Sequence, residues 1–83
     1  MHLGDVKNMT AVDVCFSYRM PPDAATMRAL DYVREVYGIR RLRFQEAERM
    51  LRVEYDATRL NEETVAALLR RAGLEIIGKL APA

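Results

Sequence analysis

The sequence predicts one α+β domain: a four-stranded antiparallel sheet with two helices packed on one of its faces. Three observations carry this prediction. Apolar and polar residues alternate in the segments containing Val12, Leu42 and Leu51, the period-two pattern of strands buried on one side only. Two further stretches carry apolar residues at helical spacing, each bounded by capping residues. The resulting order is strand, helix, strand, strand, helix, strand, the split βαβ arrangement of a ferredoxin-like βαββαβ sandwich. Since one parity of each strand is polar, both helices must share a face and the other face must meet solvent.

Taken in order, residues 1–10, "MHLGDVKNMT", have no sustained period and read as a flexible lead-in to a single domain over 11–81. Val12, Val14, Phe16, Tyr18 and Met20 share one parity and Asp13, Cys15, Ser17 and Arg19 the other, which predicts a first strand with Met20 at its inward end. Pro21 and Pro22 stop strand pairing because proline lacks the backbone donor, and Pro22 suits the first turn of a helix. Asp23 is expected to cap that helix, whose stripe of Ala25, Ala29, Val33 and Val36, flanked by Met27 and Leu30, predicts a span of 22–37 closed by Gly38.

"GIRRLRFQ" predicts a second strand with Leu42 and Phe44 on one face and Arg41 and Arg43 on the other. "QEAER" reads as a hairpin turn, and "MLRVEYD" returns with Leu51, Val53 and Tyr55 inward. Asn61 is the expected N-cap of a second helix, Glu62 and Glu63 fill its first turn, and Val65, Leu68, Leu69 and Ala72 make its buried stripe up to Gly73. "LEIIGKL" predicts the last strand.

Composition narrows the function. A chain of 83 residues, 51% hydrophobic, builds one core and not two. Thirteen basic against twelve acidic residues leave a formal charge of +1, so no global field draws nucleic acid or an anionic membrane. No apolar run approaches the roughly 18–20 residues of a bilayer span, and no signal-peptide pattern opens the chain; membrane insertion is not expected and a cytoplasmic location is. Cys15 is the sole cysteine, which rules out an intramolecular disulfide and a cysteine-built zinc finger. His2, the sole histidine, lies in the lead-in, so neither a Ser-His-Asp nor a Cys-His set is expected in the domain, and the chain reads as non-enzymatic.

"YGIRRLRF", "LRVEYDATRLNEETVAALLRRAGLEI" and Met20 at the end of the first strand together resemble the heavy-metal-associated domain family of copper chaperones, mercury-binding proteins and the N-terminal regions of heavy-metal ATPases. The resemblance covers about Ala11 to Leu80. It implies the ferredoxin-like fold and, in the family, binding of soft ions such as Cu(I), Zn(II) or Hg(II) through a Met-x-Cys-x-x-Cys loop. Aligning Met20 with the family's methionine puts Pro22 and Ala25 at the two cysteine positions, so the metal loop is degenerate: prolyl and alanyl side chains donate nothing to a soft cation.

No cofactor is expected on this reading. The function it implies is a non-catalytic interaction or regulatory module related to metal transport, with a protein partner or a second copy of itself. An alternative is Cu(I) or Zn(II) binding or trafficking at a non-standard site drawn from Cys15, Met20 and Met27; Cys15 is expected on the open sheet face as an incidental or packing residue, or as a surface thiol where it is functional, and the two methionines as core filler. A second alternative is an anion or nucleic acid on the open face, where Arg19, Arg41, Arg43 and Arg52 are expected beside Cys15 and Ser17, interrupted by Asp13 and Glu54. Nucleic acid is disfavoured because the aromatics needed to stack bases, Tyr18 and Tyr55, carry inward parity.

Overall fold

A computed structural model describes residues 11–80; the lead-in at 1–10 with His2, and position 81 of the expected domain, lie outside the described residues. The elements run β1 (Ala11–Tyr18), α1 (Ala24–Val33), β2 (Ile39–Gln45), a single 3-10 turn (Glu46–Glu48), β3 (Met50–Asp56), α2 (Glu62–Ala72) and β4 (Ile76–Leu80). The strands form one sheet in the order β2-β3-β1-β4, every neighbouring pair antiparallel. This is the ferredoxin-like α+β fold. No helix among the described residues is long and apolar enough to cross a membrane.

Alternation is cleanest on β3, where Leu51, Val53 and Tyr55 are buried and their neighbours are not. Val14 pairs with Val53 and Phe16 with Leu51, and Leu30, Val65 and Leu69 close over them from the helices. Each such side chain contributes about 1.5–3 kcal/mol by leaving water. At the junction end of the core, the rings of Tyr18 and Phe44 meet edge to face with centroids 6.1 Å apart.

Helix α2 follows its sequence signals closely. The Asn61 side chain accepts from the Thr64 amide at 2.8 Å, Glu62 and Glu63 lie at the positive end of the helix dipole, and Arg70 and Arg71 at the negative end. Gly73 ends the helix with φ of 111°, and the Leu74 amide reaches back to the Leu69 carbonyl. Leu74 then packs into the core before pairing begins, so β4 starts at Ile76, two residues later than the pattern implied.

Helix α1 is shorter than predicted. It begins at Ala24, because Asp23, in extended conformation, is the N-cap and leaves Pro22 outside the helix. It ends at Val33, after which the Glu35 and Val36 amides bond three residues back and tighten the chain into turns. Gly38, with φ of 103°, therefore steers the chain into β2 instead of capping the helix. The buried stripe is also corrected to Thr26, Leu30 and Val33; Ala25 is exposed, and Ala29 and Val36 are half-buried. Thr26 belongs to it because its hydroxyl faces Gly73, where a side chain could not fit.

Strand β1 ends at Tyr18, and the inward position expected for Met20 is not realised: Met20 is 62% exposed. The register shifts between Ser17 and Tyr18, and the Tyr18 and Arg19 amides bond to the Arg49 and Glu75 carbonyls. The alternation of β1 is thereby broken before it reaches Met20.

The close approach of the helices at Gly73 gives a direct test. A Cβ there would lie 2.6 Å from Thr26 Oγ1 on a backbone already in the left-handed region. Gly73→Ala is expected to cost about 1–3 kcal/mol in urea unfolding. Combined with Thr26→Ala, the total loss should fall below the sum of the two single losses; strict additivity would show that the helix contact contributes nothing.

Candidate functional site

The strand-to-helix junction is built by local rules. Proline at 21 and 22 fixes two φ angles near −65° and withholds two backbone donors, so neither sheet nor helix can continue through the pair. Asp23 then starts α1, its carboxylate accepting from the Thr26 amide at 2.8 Å. That bond, reinforced by the Thr26 hydroxyl, holds the Asp23 carboxyl below the usual carboxylate range; the positive charge of Arg28 adds a smaller pull in the same direction.

Beside the junction lies a cleft of about 280 Å³ lined by Tyr18, Pro21, Pro22, Met27, Phe44 and Glu46. Its lining is more apolar than polar, with Glu46 as the one charged side chain among the lining residues. Burial raises the Tyr18 phenol, the nearby Glu46 carboxylate raises it further, and Arg49 opposes both. The phenol is therefore protonated at neutral pH and able to donate. The lining holds no cysteine, serine or histidine and so no nucleophile paired with a base; the shape and chemistry suit an apolar side chain carrying a basic neighbour.

The expected ligand set divides between the two faces of the sheet. Met27 is 37% exposed and lines the cleft on the helix side, with Met20 exposed at the end of the loop, so neither methionine is core filler. Cys15 alternates with Val14 and Phe16 and so lies on the face away from the helices. It is only 6% exposed, the burial of a packing residue and not of a surface thiol: a small side chain on an interior strand, with Arg52 directly across the ladder, is shielded even though no helix covers it. No group of three His, Cys, Asp or Glu suited to a metal ion occurs among the described residues. Pro22 and Ala25 offer no donor, and a soft cation at the junction would find two thioethers and no thiolate; these residues do not fit the ion that the resemblance implies.

On the open face the register brings together most of the expected basic residues. Arg43 stands opposite Arg52, Arg41 opposite Glu54, and Glu54 opposite Asp13. Arg19 does not join them, because it lies beyond the end of β1 and pairs with Glu75 at 3.7 Å. Tyr18 and Tyr55 are buried on the helix side.

The sequence reading missed Tyr18, Phe44 and Glu46 as cleft residues. Their parity was legible, but a cleft assembled from two strands, a loop and a helix leaves no periodic trace. Comparison with protein-family models, with curated proteins and with solved structures returns no match.

The Asp23 cap carries a pH signature. A carboxyl held lower in the folded chain than in the unfolded one stabilises fully above its unfolded value, about 3.9, and this contribution disappears as pH falls through the folded value. Asp23→Asn keeps a capping acceptor without the charge, so its stability should fall less steeply than the wild type as pH drops below about 4. Parallel acid-unfolding curves for the two would show that the carboxylate has no role there.

Proposed function

We propose that this chain is a non-catalytic docking module of heavy-metal-associated type, in which the β1–α1 junction receives an apolar side chain of a protein partner in place of a metal ion. The observation that carries the reading is the largely apolar cleft beside Pro21 and Pro22, the second of which the resemblance aligns with the family's first cysteine. Met27 suits such a role, because its flexible thioether adapts to different apolar occupants. Glu46 at the edge of the cleft would select a partner with a lysine, an arginine or an amino terminus next to the inserted residue. The setting of metal transport rests on the resemblance alone.

A competition titration separates this reading from trafficking by Cys15, Met20 and Met27. The docking module should form no stoichiometric, sub-micromolar complex with Cu(I) or Zn(II), and Cys15→Ser should leave the titration unchanged. A tight one-to-one complex lost in Cys15→Ser would overturn the proposal in favour of the non-standard site. Introducing cysteine at both 22 and 25 supplies the two missing thiolates beside Met20, and that variant should gain Cu(I) binding.

A further inference from the structure

The open face of the sheet holds charges that the protein itself leaves unmatched. Arg41, Arg43 and Arg52 share a depression of about 90 Å³ with Asp13 and Glu54. Cross-strand pairing sets Arg43 directly opposite Arg52, an arrangement of like charges that weakens a sheet unless something intervenes. None of the three guanidiniums makes an ion pair or side-chain hydrogen bond with a described residue, although Arg41 faces Glu54 across the ladder. The Nε of Arg52 is buried and has no acceptor among the described residues. A buried donor without a partner is costly, and native folds leave few of them.

We infer that this depression is a binding site for a single phosphate dianion, free or as a monoester, held by Arg41, Arg43 and Arg52. A dianion between Arg43 and Arg52 turns their mutual repulsion into two attractions. Guanidinium forks match the oxygens of a phosphate two at a time, which a point charge such as lysine does not. The volume admits one phosphate group and leaves no room for a stacked base. Asp13 and Glu54 oppose anion binding in part, and they disfavour a continuous phosphodiester chain more than a single compact dianion, because each added phosphate would meet the same two carboxylates. The site lies on the sheet face opposite the junction cleft, so it stands or falls independently of the docking reading.

The test is a titration of the full chain with inorganic phosphate at constant ionic strength, followed by backbone amide NMR. A saturable one-to-one response centred on residues 13, 41, 43, 52 and 54 is expected. Phosphoserine in a second arm separates the sources: tighter binding than inorganic phosphate marks an organic monoester as the ligand, and equal or weaker binding marks the free ion. Arg52→Gln and Arg43→Gln should each weaken phosphate binding by about tenfold or more, whereas Arg70→Gln, on α2, should leave it unchanged. Arg52→Lys keeps the charge without the fork and should also weaken it. Shifts that do not saturate, that spread over all arginines, or that survive in Arg52→Gln would overturn the inference. So would a single-stranded oligonucleotide that displaces phosphate and binds more tightly with a steep salt dependence, since that result assigns the face to nucleic acid.

Discussion

Val14 of β1 stands directly opposite Val53 of β3, and Phe16 opposite Leu51, and this register decides which face of the sheet is dry. Strand side chains alternate, so a slip of one residue would turn every core side chain outward and put Asp13, Arg52 and Glu54 under the helices. The two helices have no other apolar surface to cover. Leu30 and Val33 from α1, and Val65 and Leu69 from α2, complete a core that the central strand pair defines. The helix caps act within that frame, since Asp23 and Asn61 determine where each helix begins and not which face it covers.

Sidedness fixed in this way separates the chemistry of the chain into two groups. Everything at the β1–α1 junction belongs to the helix side, where Tyr18, Phe44 and Met27 meet around an apolar cleft. Cys15 and the arginines belong to the other side, because they occupy the opposite parity of the same strands. No rotamer change brings the thiol across a packed sheet to Met27. Among the described residues, the sulfurs flanking the junction are therefore thioethers, which alone make a weak site for Cu(I) and a poor one for Zn(II).

Legibility from the sequence followed the range of the interaction. Short-range rules read well: the alternation of β3, the Asn61 cap with two glutamates behind it, and the left-handed Gly73 were all visible in the residues that make them. Reading failed where a distant contact decided the outcome. Thr26 is buried because Gly73, on another helix, leaves room for its hydroxyl, and no period marks that fit. Met20 leaves the inward parity because the Tyr18 and Arg19 amides find carbonyls at Arg49 and Glu75. Cys15 has the outward parity that alternation assigned, yet its burial depends on its place in an interior strand, which only the sheet order reveals. The junction cleft belongs to the same class, since Phe44 reaches it from the edge strand β2 and Glu46 from the turn that follows.

The junction also differs from a metal loop in stiffness. A loop that wraps an ion must let two ligands converge, and each backbone residue it orders in doing so costs about 1–2 kcal/mol of conformational entropy. Here the two prolines restrict the backbone before anything binds, and the Asp23 carboxylate pins the first turn of α1 immediately afterwards. The Tyr18–Phe44 ring pair supports the cleft from beneath. Walls fixed in advance reduce the ordering cost that limits the affinity of small interfaces. The paired prolines thus make the strand-to-helix junction a rigid edge beside the cleft, fixed before any group packs against it.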